Sequence, residues 1–358
     1  MNRWNDLKEY RVVRLNATLF PIREPEAELY QKYNITPQLV EANTPDEQIP
    51  QLADCDAILI VSAPLTTQVV KSLARCRIIS RLGAGTDKID VATATARGIV
   101  VSNVPDFCVE EQADHTMALL LALTRQLPQT GKDMRAGEWN RARQNPYLQR
   151  LAGHTLGLVG FGRSARAVAK RAQAFGMRVL ATRRNKTAPR REIDELGVEM
   201  MELDELLAAS DYVSLHLPLN ADTYHLLDDA ALRRMKPTAF LINTSRGAIV
   251  DEDALVAALR EGRLAGAGLD TYEHINVFSE TEFVPQHPLL ELDNVVLTPH
   301  IAATSPDAMY AVSKGGVENT VAVLSGYLPP ADHIVNPAVT PRFPLKEYDP
   351  RLFEDAAA

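Results

Sequence analysis

Thr155-Leu-Gly-Leu-Val-Gly160-Phe-Gly162-Arg163-Ser164-Ala165-Arg-Ala-Val-Ala169 is the stretch whose reading decides the fold. Residues 155–160 form an apolar run that predicts a strand, and residues 165–175 predict a helix. Between them lies Gly-x-Gly-x-x-Ala. In that setting Gly160 permits the tight turn, and Gly162 lets backbone N–H groups approach a pyrophosphate. Ala165 keeps helix and strand close. The helix start presents unpaired N–H groups to phosphate, with Arg163 and Ser164 as expected neighbours. Gly176 suits the position just past the helix, and the next strand follows at once. This βαβ context predicts dinucleotide binding; without it, the glycines would mark a tight turn and nothing more.

The end of that next strand bears on the choice of dinucleotide. An acidic residue there would accept hydrogen bonds from the adenosine ribose and repel a 2′-phosphate. The sequence instead reads Val179-Leu-Ala-Thr182-Arg183-Arg184-Asn-Lys186. Arginine binds phosphate through a two-point fork and keeps its charge, so NADP is favoured, with NAD the alternative. Arg190 and Arg191 complete the chain's only dense basic patch, which otherwise reads as a solvated loop.

Outward from this unit, the same texture repeats. Strands are expected at 12–16, 57–61, 78–81 and 99–102, then at 155–160, 178–182, 212–217, 239–243, 265–269 and 295–298. Helical stretches are expected at 165–175, 204–209, 229–235 and 251–261. The strands are mostly continuous apolar runs, the mark of burial on both faces. Repeated βα units imply doubly wound parallel sheets, and two series imply two domains. The helical segments 109–126 and 306–325 serve as crossings. One domain is expected over 105–300, the other over 1–104 plus 301–358. The tail from 337 to 358, rich in proline and charge, is expected on the surface or loose.

Composition agrees with this architecture. At about 150 residues per domain, 358 residues suit two domains. Hydrophobic residues at 46% and charged residues at 23% exclude disordered and coiled-coil readings. A net charge of −8 argues against a nucleic-acid or anionic-membrane partner. Cys55, Cys76 and Cys108 are too scattered for a disulfide framework or a zinc site. No metal is expected. With no apolar leader or membrane-length run in view, a cytoplasmic location is expected.

Several motifs in order resemble the D-isomer-specific 2-hydroxyacid dehydrogenases over about residues 55–337. They are Arg81-Leu-Gly83-Ala84-Gly85-Thr-Asp87-Lys-Ile-Asp90, the Gly160–Ala165 turn, and Asp211-Tyr-Val-Ser-Leu-His216-Leu217-Pro218 with Thr223. Leu241-Ile-Asn243-Thr244-Ser245-Arg246-Gly247, Gly266-Ala-Gly-Leu-Asp270 and Asn294-Val-Val-Leu-Thr-Pro299-His300 follow. The segment 103–115 is similar to the C-terminal-binding-protein-like branch, which holds both dehydrogenases and co-repressors. The resemblance implies a Rossmann cofactor domain, a flavodoxin-like substrate domain and a homodimer. It also implies hydride transfer between NAD(P)H and a small 2-oxo or D-2-hydroxy acid. A dinucleotide-sensing binding protein is the alternative.

That chemistry needs a cation for the substrate carboxylate, a proton donor, and a carboxylate to orient the donor. Arg246 and His300 both follow strands at the carboxyl end, where open α/β sheets bind ligands. Arginine grips a carboxylate at two points, and imidazole titrates near neutral pH. The family's usual glutamate would fall at Ile275. Glu273 is the nearest carboxylate, with Glu280, Glu282 or no partner as alternatives. The resemblance further places Ser62 and Gly83–Ala84–Gly85 near substrate. It places Leu217, Pro218, Thr223, Thr244, Ser245, Arg246, Asp270 and His300 along the cofactor. His216 is expected to line the cofactor cleft, and His115, on a helix, to be a packing or hydrogen-bonding residue.

Overall fold

The computed structural model describes residues 4–140, 144, 148–184, 195–278 and 286–354. The chain divides into two compact units, Met1–Phe107 with Ser305–Ala358, and Cys108–Thr304. Among the described residues each holds one sheet, and the strands within it pair in parallel.

In the first unit the strands are β1 (Val12–Leu15), β2 (Gln38–Val40), β3 (Ala57–Ile60), β4 (Ile78–Arg81) and β5 (Val100–Ser102). Their order is β2-β1-β3-β4-β5, the flavodoxin-like arrangement. β1 and β3 are buried at every residue, as their unbroken apolar runs require. β2 was not legible in the sequence, because it is three residues long and two of them are exposed. The helix Pro306–Leu324 packs here, bringing Gly316 so close to β4 that Ser80 Oγ donates to its carbonyl at 2.9 Å. Through residue 354 the tail packs on this unit. Arg342 N–H donates to Gly98 O at 3.0 Å, and Phe353 joins Trp4 and Tyr33 in an aromatic cluster.

In the second unit the strands are β6 (Thr155–Val159), β7 (Arg178–Thr182), β8 (Glu199–Met200), β9 (Tyr212–Leu215), β10 (Phe240–Asn243), β11 (Gly266–Leu269) and β12 (Val295–Leu297). The order β12-β11-β10-β9-β6-β7-β8 is the Rossmann winding, extended by one strand. Its switch point lies between β6 and β9. The helix Val109–Thr124 covers this sheet, and Leu119 and Leu123 fill the space that the side-chain-free Gly268 leaves on β11. Deleting a buried leucine of this kind costs about 2–5 kcal/mol. The helix expected over 109–126 ends at Thr124. Gln126 takes φ 52°, and a second helix, Leu127–Ala136, begins at once with a proline in its first turn. The helix expected over 229–235 shrinks to Asp229–Leu232.

Candidate active site

The glycine turn follows β6. Gly160 has φ 93°, and a Cβ there would stand 2.4 Å from the carbonyl oxygen of His216. Any side chain would therefore fail on both counts. At Gly162 a Cβ would meet nothing within 4 Å, so the space before the helix Arg163–Ala174 is open. That helix has no side-chain cap and no acid in its first turn. Its first N–H groups face outward from a positive helix end, which suits a pyrophosphate. Ala165 is fully buried against the sheet. The residues present fit a dinucleotide.

His216 is buried, with Nδ1 3.1 Å from Ser164 Oγ and Nε2 2.9 Å from Ser214 Oγ. Burial pushes its pKa down to about 4, so the ring is neutral at physiological pH. It fastens the first turn of the helix Arg163–Ala174 to β9. Nearby, Thr223 Oγ1 donates to Pro218 O at 2.7 Å and closes the turn that follows Leu217. Arg183 and Arg184 leave the end of β7, and Arg184 pairs with Asp222. Lys186, Arg190 and Arg191 lie outside the described residues.

Arg246, Asp270 and His300 leave three neighbouring strands. Asn243, Leu269 and Leu297, the last residues of β10, β11 and β12, are in register. All three residues therefore depart from adjacent points on one sheet edge. Buried Asn243 shapes the first departure. Its Oδ1 accepts from Ser245 N–H at 3.0 Å and Ser245 Oγ at 2.8 Å, while its Nδ2 donates to Arg246 O at 2.9 Å. Thr244 is anchored from below by Thr116 Oγ1 at 3.0 Å and by Gln112 at 2.8 Å. Asn243 was not foreseen as an organiser; its position one residue past three apolar strand residues is the signal that could have found it.

His300 sits at φ 57°, a left-handed conformation that costs a side-chain-bearing residue about 1–3 kcal/mol. Asp270, fully buried, holds it there. Asp270 Oδ1 accepts from Thr298 Oγ1 at 2.6 Å and from Ile301 N–H at 2.9 Å, and Oδ2 accepts from Ala302 N–H at 2.9 Å. Since the Thr298 hydroxyl hydrogen goes to Asp270, His115 Nε2, 2.9 Å away, is the donor to Thr298. The His300 ring packs against Phe278, with centroids 4.8 Å apart.

Glu273, expected beside His300, is engaged with a different imidazole. His225 Nε2 lies 2.9 Å from each of its carboxylate oxygens. The cause is local. Gly247 brings the turn after Arg246 into backbone contact with Tyr272 and Glu273, and His225 N–H donates to the same turn at Ala248 O. Glu280 and Glu282 lie outside the described residues.

In the first unit, the carbonyls of the Gly83–Gly85 turn are all engaged. Val104 N–H donates to Gly83 O at 3.1 Å, Asn103 Nδ2 to Ala84 O at 2.6 Å, and Arg81 Nε to Gly85 O at 3.0 Å. Among the described residues nothing accepts from the N–H groups of Ala84 and Gly85. Such adjacent, unengaged amides can receive a carboxylate. Ser62 follows β3, half-buried. Among the described residues, no cluster of three or more His, Cys, Asp or Glu side chains could hold a metal, and no helix is long and apolar enough to cross a membrane.

Residues 117–302 match the family model described as D-isomer specific 2-hydroxyacid dehydrogenase, NAD binding domain. The chain is 42% identical over 296 residues to glyoxylate reductase of Korarchaeum cryptofilum, covering 81% of this chain and 86% of the relative. The chain belongs to this family. Among solved structures, D-lactate dehydrogenase of Aquifex aeolicus, complexed with NAD and lactic acid, superposes with a TM-score of 0.78 at 28% identity, covering 88% of this chain and 96% of that one. The NADPH-dependent glyoxylate/hydroxypyruvate reductase of Sinorhizobium meliloti, in complex with NADP and malonate, gives 0.76 at 31%, covering 91% and 98%. This family member is an NAD(P)-dependent oxidoreductase that moves a hydride between its cofactor and a small 2-oxo or 2-hydroxy acid. The relatives are reductases and dehydrogenases, which does not favour the co-repressor alternative.

Proposed function

We propose that this enzyme is an NADPH-preferring reductase of glyoxylate and other short 2-oxo acids, working through Arg246 and His300. The observation that carries the reading is the shared sheet edge: Arg246 after β10, Asp270 after β11 and His300 after β12, with the glycine turn on the same edge beyond the switch point. Arg246 holds the substrate carboxylate and draws density from the adjacent carbonyl. His300 delivers a proton to the carbonyl oxygen, and in the reverse direction removes it from the hydroxyl. Asp270 keeps the His300 turn in its left-handed geometry. The bound nicotinamide supplies or accepts the hydride.

Gly160, Gly162, Arg163 and Ser164 would hold the pyrophosphate, with Leu217, Pro218, Thr223, Thr244 and Ser245 along the remaining cofactor. Arg183 and Arg184, with no carboxylate at the end of β7, support NADP through the adenosine 2′-phosphate. Ser62, Gly83, Ala84 and Gly85 are proposed substrate contacts. A homodimer, a cytoplasmic location and membership of the C-terminal-binding-protein-like branch complete the proposal. Three buried, unbridged cysteines suit a reducing compartment. The test is turnover against glyoxylate, hydroxypyruvate and pyruvate with NADPH and NADH in parallel. Glyoxylate with NADPH should give the highest kcat/KM; inactivity on every 2-oxo acid would refute the reading.

A further inference from the structure

We infer that His225 and Glu273 are a positioning pair for Arg246, fixing the turn that aims its guanidinium without touching substrate themselves. The inference rests on Arg246 as the carboxylate clamp.

Arg246 leads directly into a single 3-10 turn, Gly247–Ile249. Two other segments grip that turn. In the first, His225 N–H donates to Ala248 O at 2.9 Å, and Leu227 N–H donates to Ile249 O at 3.0 Å. In the second, the backbone of Tyr272 and Glu273 lies so close to Gly247 that a Cβ there would stand 1.9 Å from the Tyr272 carbonyl carbon and 2.4 Å from Glu273 N. No side chain fits, so the contact is backbone on backbone. Glu273 N–H also donates to Glu252 Oε2 at 2.7 Å, tying the second segment to the helix that follows the turn.

The His225–Glu273 pair joins the two grips. A carboxylate only accepts, so His225 Nε2 is the donor at 2.9 Å to both oxygens. Tyr224 adds a hydrogen bond to Glu273 Oε1 at 3.2 Å and stacks on the His225 ring at 4.0 Å. His225 itself sits at φ 48°, a conformation that persists when surroundings dictate it. The closed path therefore runs from residue 225 to 248 by backbone, from 247 to 273 by contact, and from 273 back to 225 by side chains. Glu252 and His287 stand behind it, Oε1 and Nε2 being 3.0 Å apart, with His274 and Asp251 the other ionisable neighbours. A half-buried hydrogen-bonded pair adds little net stability over apolar groups of the same shape. What this pair adds is a fixed register for one turn, and the residue preceding that turn is Arg246.

Release of the grip should misplace the guanidinium while leaving the glycine turn alone. The experiment measures KM for glyoxylate, kcat and NADPH Kd for Glu273→Ala, Glu273→Gln and His225→Leu, each in wild-type and Arg246→Lys backgrounds. Glu273→Ala and His225→Leu should raise KM about ten- to a hundredfold, the scale of a misplaced binding group, with NADPH Kd unchanged. The amide variant should fall between wild type and alanine, and it carries the test if Glu273→Ala fails to fold. In the Arg246→Lys background the increment should vanish, because partners acting through one group are not additive. An equal increment in both backgrounds, or an unchanged KM in the single variants while Arg246→Lys is impaired, would overturn the pair's role alone. Native kinetics for Arg246→Lys would overturn the clamp itself, and the inference with it.

Discussion

Two left-handed turns in the second unit, at Gly160 and at His300, do different work and are encoded differently. At Gly160, φ 93° falls on the one residue type that adopts it freely, with no room for any other. At His300, φ 57° falls on an imidazole and is enforced from 30 residues away in sequence by Asp270. The turn proposed to bind cofactor can be written into its own residues. The turn proposed to carry the proton donor, with a specific side chain in a costly conformation, has to be held by the rest of the fold. Cofactor binding and proton transfer should therefore separate under mutation.

The largest expected effect tests the His300 turn. His300→Ala should lower turnover about 10²–10⁴-fold, the range for a general acid–base group, and leave NADPH Kd unchanged. Parallel loss of both would merge the two turns into one function.

The next effect lies on the binding side and is driven by pH. The pKa of buried His216 is about 4 when folded, against about 6.5 unfolded. As pH falls below 6.5 the unfolded chain takes the proton first, so stability is lost through the window down to pH 4 and no further below it. The loss from this residue approaches 3 kcal/mol as an order of magnitude. Urea unfolding at pH 7 and pH 4.5 should show it, and His216→Gln should remove most of the difference. An identical pH response in that variant would mean that other groups dominate acid sensitivity.

A matched pair sharpens the comparison. Asp270→Asn leaves one of the His300-turn N–H groups poorly paired, worth about 1–3 kcal/mol, and should depress kcat while NADPH affinity holds. Gly160→Ala forces an alanine to φ 93° against a carbonyl, also at least about 1–3 kcal/mol. It should weaken NADPH binding and lower the unfolding midpoint. If the two variants share one kinetic signature, the turns are not independent.

The smallest effect concerns cofactor choice. Arg183→Asp with Arg184→Ala should move the NADPH/NADH ratio of kcat/KM towards NADH by about tenfold or more, one to two charge-assisted contacts being exchanged. A wild-type enzyme that already prefers NADH would contradict the assignment.

What could be read from the sequence follows the same division. The glycine turn, the βα alternation and the buried strands are local signals, since glycine spacing and apolar runs are visible without a partner. Arg246 and His300 were legible as residues at strand ends together with family motifs. The distribution of carboxylates was not. Glu273 lies 27 residues before His300 and two before Ile275, yet the close approach at Gly247 delivers it to His225. Asp270 was expected beside the cofactor, and its grip on Ile301 and Ala302 depends on the register of β11 with β12, which no local pattern carries. The stop of the first crossing helix at Thr124 and the start of a second at Leu127 carry no residue-type signal except Pro128.

The most direct measurement follows the hydride itself. Wild-type protein is given NADPH deuterated at the transferable C4 position together with glyoxylate, and the product is read by mass spectrometry and NMR. The account predicts glycolate carrying the deuterium on C2, formed at a rate that collapses in His300→Ala. Intact reduced cofactor after incubation, or product whose C2 hydrogen comes from solvent, would contradict it.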